Sequence, residues 1–163
     1  MTATEIEQRY WEDVAEQESL SGYSLELTWT KMAEQVSGSQ DFYAVHHDPD
    51  FARAGGHEDI FYNTGFTRAA LCRLLTDWHG PQGWVRRLSF EMRKMHMPRD
   101  TIRVLGTVTA RREGEDGMGE VDIDLWIEND RVGIATPAEA TVLLPRAPLA
   151  GNRTGTSASR SGA

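Results

Sequence analysis

The chain has 163 residues, a length that suits one domain with a single core. Apolar residues make up 39% of the chain and charged residues 26%, a composition that excludes an intrinsically disordered protein. The net charge of -8 at pH 7 argues against nucleic acid and against anionic membrane surfaces as partners, because both attract basic proteins.

Cysteine content and the lack of long apolar segments bear on the cellular compartment. The single cysteine, Cys72, has no partner for an internal disulfide, which fits a reducing environment. The first residues are acidic and lack an apolar stretch, so we expect no signal peptide. No segment approaches the roughly 18 apolar residues that a membrane-spanning helix needs. These features predict a cytoplasmic protein.

The chain begins with a predicted helix over residues 5–17, for which Thr4 is the expected N-cap. Its apolar positions recur at helical spacing, at Ile6, Tyr10, Trp11 and Val14. Alternation with polar residues then predicts a strand through Tyr23, Leu25, Leu27 and Trp29. A short helix over residues 32–36 follows and ends at Ser37 and Gly38.

The segment over residues 40–59 differs from the rest of the chain. It is dense in Asp and His, contains Pro49 and the pair Gly55-Gly56, and shows no sustained periodicity. We therefore expect a loop. Because loops carry chemistry more often than regular elements do, this segment is where a functional site is expected.

Residues 63–78 form the most apolar helical segment of the sequence. Apolar side chains cover most of its circumference, which is typical of a helix buried in a core rather than laid on a surface. Gly80 and Pro81 end it.

The remaining chain alternates apolar and polar residues in four segments, which predicts four strands. Their apolar positions are Leu88, Phe90 and Met92; Ile102, Val104 and Val108; Val121, Ile123, Leu125 and Ile127; and Ala138, Ala140, Val142 and Leu144. Such alternation is typical of an antiparallel sheet with one solvated face. A curved antiparallel sheet wrapped around the long apolar helix, an α+β arrangement, buries both elements.

Three regions follow from these elements. We expect an N-terminal helical extension over residues 1–20, a folded domain over residues 21–145, and a disordered tail over residues 146–163.

The segment from Ser39 to Pro49 carries the most specific motif. Asp41 stands five residues before His46, and Asp48-Pro49 follows. This spacing resembles the signature of MaoC-like hydratases, which runs Ser-Gly-Asp-x-Asn-Pro-Ile-His-x-Asp-Pro. The resemblance extends from about residue 25 to residue 145, and includes Gly55-Gly56, Thr76-Asp77-Trp78-His79-Gly80 and the strand over residues 140–145.

The chain departs from that signature in ways that point to one branch of the family. Tyr43-Ala44 stands where Asn-Pro is usual, Gln40 where Gly is frequent, and Tyr62-Asn63-Thr64 where Pro-Gly or His-Gly is common. The motifs are similar to those of small MaoC-like subunits of actinobacterial steroid acyl-CoA dehydratases, which share DF-x-x-VHHD, DIF-x-N and TDW-x-GP. In those enzymes two different hotdog chains pair.

The resemblance implies a hotdog fold and an acyl thioester dehydratase or hydratase. It assigns the acid–base pair to Asp41 and His46. Hydration of a 2-enoyl thioester needs a base that activates water at C3 and an acid that protonates C2. The thioester oxygen gains negative charge, and the backbone N–H groups of Thr64 and Gly65 at the start of the long helix are expected to stabilise it. Residues expected to contact the substrate are Tyr43, Asn63 and Phe61.

Each of these residues also has an alternative interpretation. Asp41 suits a turn or a helix cap, and His46 suits a core or surface position. The nearby His and Asp residues lack the spacing of convergent metal ligands, so we predict no metal and no cofactor. Six basic residues suit either the phosphates of coenzyme A or a solvated strand face: Arg86, Arg87, Arg93, Lys94, Arg99 and Arg103.

The leading prediction is a lyase that acts on an acyl thioester of coenzyme A or of an acyl carrier protein. One alternative is a repurposed hotdog enzyme of secondary metabolism, which dehydrates, cyclises or epimerises a bulky intermediate; the unusual Tyr43-Ala44 and Thr64 motivate it. Others are a non-catalytic partner subunit and, because fold does not fix function, a thioesterase. We expect a homodimer or a heteromer with a second hotdog chain, since a lone sheet leaves its edges exposed.

Overall fold

The computed structural model describes residues 6–114 and 117–148 of the chain. Within those ranges the regular elements are three α-helices and five strands. The helices are α1 Trp29–Ser39, α2 Pro49–Ala54 and α3 Thr64–His79. The strands are β1 Tyr23–Glu26, β2 Trp84–Phe90, β3 Thr101–Glu113, β4 Met118–Asn129 and β5 Gly133–Pro145.

The five strands form one antiparallel sheet in the order β1-β3-β4-β5-β2. Because side chains alternate between the faces of a strand, the predicted apolar positions of β3, β4 and β5 fall on one face. In register, Val104 lies opposite Ile127, and Ile123 opposite Ala140. This face packs against α3, and together they form the core. The α+β arrangement predicted from the sequence is confirmed.

Helix α3 is the long helix that the sequence predicts, displaced by one residue. Its Leu71, Leu74 and Leu75 are almost fully buried against the sheet. Gly80 follows it with a φ of 77°, a value that L side chains rarely adopt, so the helix ends where the sequence predicts. Among the described residues, no helix is long and apolar enough to cross a lipid bilayer.

The helix predicted over residues 5–17 is wrong within the described residues, and its cap Thr4 lies outside them. Residues 6–20 instead form an extended strap with one 3₁₀ turn at Trp11–Asp13. The strap runs along the free edge of β3, where Gln17 donates to the carbonyl of Val108 and Leu20 donates to that of Gly106. Contacts distant in sequence therefore outweigh the local helical periodicity.

The predicted disordered tail falls mostly on residues 149–163, outside the described residues. Its first residues are ordered, because the backbone N–H of Ala147 donates to Glu12 across 2.8 Å and Arg146 lies over the Trp11 ring. The prediction of disorder is therefore wrong for these first residues.

Two predicted boundaries near the motif shift. Helix α1 begins at Trp29, the predicted end of the first strand, because the side chain of Thr28 caps it by accepting from Lys31 N–H. It also continues past Gly38. The predicted loop over residues 40–59 contains helix α2, where Asp48 is the N-cap and Pro49 the first residue, a favourable combination.

Candidate active site

Helix α1 leads into the motif segment and places it next to the start of α3. The helix ends at Ser39, its C-cap Gln40 turns the chain through a left-handed backbone (φ 56°), and Asp41 follows directly. A 3₁₀ turn over residues 44–46 then reverses the chain, with His46 N–H donating to the carbonyl of Tyr43. This turn brings His46 Nε2 to 3.4 Å from Asp41 Oδ2. The residues of the predicted acid–base pair therefore face each other.

His46 is held in one orientation by the backbone. Its side chain is only 8% exposed, and its Nδ1 lies 2.7 Å from the carbonyl oxygen of Phe61. Because a carbonyl only accepts, Nδ1 carries the proton in the neutral ring and Nε2 is left with its lone pair. The Phe61 ring packs edge-on against the imidazole at 5.2 Å. The unprotonated nitrogen is thus the one that faces Asp41.

Asp41 is favoured as a carboxylate by its surroundings. Its side chain is 40% exposed, and Asn63 Nδ2 donates to Oδ2 across 2.9 Å. This hydrogen bond lowers the pKa of Asp41 below its usual value; burial opposes the shift, and His46 and the Tyr43 backbone add to it. The Asp41 carboxylate and the Nε2 lone pair of the neutral His46 ring are both acceptors. The two atoms are 3.4 Å apart, so a water molecule that donates to both lies to one side of the pair rather than between them.

The first turn of α3 lies next to this pair through Asn63. Asn63 is the N-cap, and its Oδ1 accepts from Phe66 N–H across 2.8 Å. The N–H groups of Thr64 and Gly65 have no acceptor among the described residues. Free amides at a helix N-terminus carry partial positive charge, so they favour negative charge on a nearby oxygen. The predicted oxyanion-hole residues are thus one and two positions from the Asp41 contact.

The three residues predicted to contact substrate have different environments. Tyr43 is 61% exposed, and its ring meets those of His46 and Phe51 edge-on. Phe61 is partly buried and supplies the carbonyl that holds His46. Asn63 is buried and contacts Asp41. The sequence missed the Phe61 carbonyl because a backbone acceptor has no residue signature, whereas Asn before a helix is a recognisable cap signal.

Half of the basic residues that the sequence singles out are paired with acidic neighbours. Arg93 bridges Glu91, and two others bridge acidic residues of β4: Arg86 with Glu120, and Arg103 with Glu128. These contacts support the solvated-face interpretation over a phosphate-binding patch. Across the part of the chain that the structure describes, no group of three or more His, Cys, Asp or Glu residues is arranged to hold a metal ion.

Comparison with known proteins finds one named relative that is similar in sequence. No protein-family model matches it. It is 36% identical over 85 residues to the 3-oxo-4,17-pregnadiene-20-carboxyl-CoA hydratase beta subunit of Mycobacterium tuberculosis. The aligned part is 52% of this chain and 66% of that subunit, just under two thirds of its length.

Solved structures share the whole fold. The ChsH1-ChsH2 complex from Mycobacterium tuberculosis contains a chain with a TM-score of 0.72 and 26% identity, over 80% of this chain and 98% of that one. The MaoC-like dehydratase from Rhodospirillum rubrum gives a TM-score of 0.75 at 20% identity, over 86% and 99%. The chain is similar to MaoC-like hotdog proteins in fold, and to one named hydratase subunit over part of its sequence. The predicted hotdog fold is confirmed, and the relative of 36% identity is named a hydratase, the enzyme class that the Asp41–His46 motif predicts.

Proposed function

We propose that this chain is a MaoC-like hydro-lyase that adds water to, or removes it from, the 2,3-bond of an acyl thioester. The observation that carries the proposal is the arrangement of His46 Nε2 and Asp41 Oδ2, 3.4 Å apart beside the first turn of α3. Named relatives with hydratase and dehydratase activity support the same reaction class.

Hydration begins with one water bound beside Asp41 and His46, to which it donates its hydrogens. As its oxygen bonds to C3, one of its O–H bonds breaks and the proton passes to the pair. The electrons of the C2–C3 double bond move onto the thioester carbonyl oxygen. The pair then delivers a proton to C2, the carbonyl re-forms, and both groups return to their starting states. A positioned acid or base contributes about 10²–10⁴-fold to such a step. Dehydration follows the reverse path.

Negative charge gathers on the thioester oxygen, and we assign its stabilisation to the N–H groups of Thr64 and Gly65. These donors are fixed by the helix, so they do not need to reorganise during the reaction. Loss of one such donor typically costs about 3–4 kcal/mol of transition-state stabilisation. Because the donors belong to the backbone, Thr64 in place of a smaller residue does not remove them.

The proposed substrate is a coenzyme A thioester with a bulky apolar acyl group. The relative from Mycobacterium tuberculosis is named for a pregnadiene carboxyl-CoA, a steroid thioester. Three exposed aromatic side chains lie in the motif segment or in helix α2 directly after it, and would pack against rings of that kind: Phe42, Tyr43 and Phe51. A second hotdog chain is the proposed partner, because a similar structure is a complex of two named chains.

Two variants test the acid–base assignment. Asp41→Asn and His46→Ala are assayed with crotonyl-CoA and with a steroid side-chain enoyl-CoA. We expect each to lose turnover by about 10²-fold or more. Asp41→Asn should leave the unfolding curve nearly unchanged, whereas His46→Ala also removes a buried hydrogen bond to Phe61 and should lower stability. Asp48→Asn is the matched control from the same motif, since Asn also caps a helix, and it should retain turnover. Wild-type rates in both site variants would refute the assignment.

A second candidate function is a non-catalytic partner subunit. The relative is named a beta subunit, and the similar solved structure is a complex, which favours a chain that works with another. The intact Asp41–His46 pair argues against it. The two are separated by co-expression with an intact and with a catalytically dead hotdog partner. Turnover that persists with the dead partner and is lost in Asp41→Asn assigns catalysis to this chain, whereas turnover that appears only with the intact partner assigns it a supporting role.

A further inference from the structure

The side chain of Asn63 uses all of its polar atoms within the protein. It is 5% exposed. Its Oδ1 accepts from Phe66 N–H across 2.8 Å, and its Nδ2 donates to Asp41 Oδ2 at 2.9 Å and to Ser39 Oγ at 3.1 Å. An amide group has two hydrogens to donate, so neither is left for a substrate. The sequence-based expectation of a substrate contact therefore needs another interpretation.

Two neighbours fix which way the amide points. Phe66 N–H is a donor, so the atom that faces it is the oxygen, and the nitrogen must face Asp41. Ser39 Oγ donates to the carbonyl of Gln35 across 2.6 Å, so it accepts from Asn63. The end of α1, the carboxylate of Asp41 and the first turn of α3 are thus joined through one planar group.

We propose that Asn63 is a positioning residue, which fixes the Asp41 carboxylate relative to the N-terminal amides of α3. The effect on turnover rests on the proposed function. The water held by Asp41 attacks C3 of the same thioester whose carbonyl oxygen is held by the amides of Thr64 and Gly65. The distance between Asp41 and these amides must therefore match the distance between C3 and the carbonyl oxygen of the substrate. Misplacement of reacting groups by about 1 Å costs on the order of 10²-fold in rate.

The electrostatics of Asp41 agree with this role. The Asn63 hydrogen bond is the largest cause that lowers the pKa of Asp41. The other groups that act on this carboxyl are His46, which faces it, and the backbone N–H of Tyr43, while burial opposes them. Removal of the amide donor should therefore raise the pKa of Asp41.

Two variants keep the helix cap and remove the amide donor. Asn63→Ser leaves a hydroxyl that caps α3, and Asn63→Asp leaves a carboxylate that caps equally well but repels Asp41. Thr28→Ala is the control, because it removes the cap of α1 without touching Asp41. Two quantities are measured: kcat and KM with the thioester substrate, and the titration of the Asp41 carboxyl carbon by NMR, assigned with Asp41→Asn.

We expect kcat to fall between about 10- and 100-fold in both Asn63 variants, with KM nearly unchanged. The midpoint of the Asp41 titration should rise from wild type to Asn63→Ser and again to Asn63→Asp. Thr28→Ala should lower stability and leave kcat and the titration as they are. Wild-type kcat, or an unshifted titration in Asn63→Ser, would overturn the proposal. A shifted titration in a protein without any thioester turnover supports the Asn63 contact and refutes the proposed function, so the two failures are distinguishable.

Discussion

His46 donates a hydrogen bond from Nδ1 to the carbonyl oxygen of Phe61, 15 residues further along the chain, across 2.7 Å. The bond joins the motif segment to the segment that leads into α3. It also decides which imidazole nitrogen is free for chemistry, because the free Nε2 is the atom 3.4 Å from Asp41. A residue outside the motif thus sets the chemical state of a residue inside it.

This relationship predicts the tautomer of His46. At mildly alkaline pH the neutral ring should carry its proton on Nδ1, since only that nitrogen has a carbonyl partner. Imidazole nitrogen chemical shifts in a two-bond ¹H–¹⁵N spectrum distinguish the two tautomers, and His46→Ala identifies the signal. A proton found on Nε2 would contradict the proposed placement of the water.

The sequence predicts much of the fold, and it predicts the Asp41–His46 pair of the site. The alternation of Val121, Ile123 and Leu125 with polar residues is a local pattern, so it locates β4 and its buried face. The Asp41–His46 spacing is local too. The strap is different: Trp11 packs on Gly119, 108 positions away, and no local pattern contains that contact. The Phe61 carbonyl is likewise invisible, because every residue has one.

The left-handed backbone of Gln40 predicts a stabilising substitution. A side chain at φ 56° costs about 1–2 kcal/mol of steric strain, whereas glycine adopts this conformation freely. The greater entropy of glycine in the unfolded chain cancels part of the stability gained by removing the strain. Gln40→Gly should therefore raise the free energy of unfolding by about 0.5–1 kcal/mol. Urea unfolding measures it.

The control is Ser37→Gly, at an exposed position inside α1. Glycine within a helix should lower stability by about 0.5–1 kcal/mol, the opposite sign. Equal losses in both variants would mean that Gln40 bears no backbone strain.

The buried His96 predicts how stability depends on pH. Burial lowers the pKa of His96 to about 4, while Asp100 and Arg131 act in opposite directions. Its Nδ1 lies 3.2 Å from the Asn129 amide nitrogen, which donates to it and so favours the neutral ring. In the unfolded chain the pKa is about 6.5, so the unfolded state takes up a proton first as pH falls. Stability should decline between about pH 6.5 and 4 by up to about 1.4 kcal/mol per pH unit.

Urea unfolding at several pH values measures this slope. His96→Gln should be less stable at neutral pH and show a shallower decline. Burial also lowers the pKa of His79, so a part of the slope should remain. An unchanged slope in His96→Gln would assign the acid sensitivity to other groups.

The packing of the strap on the sheet predicts a coupling between Trp11 and Gly119. A Cβ atom at Gly119 would collide with the Trp11 indole, whose ring also contacts the guanidinium groups of Arg111 and Arg146. Gly119→Ala should therefore cost about 1–3 kcal/mol, as overpacking does. In a Trp11→Ala background the same methyl group meets open space, and its cost should nearly vanish. A double-mutant cycle by urea unfolding should give a coupling of at least about 1 kcal/mol. Additive losses would mean that the strap does not lie on β4 in solution, and the edge of β3 would then be open to another chain.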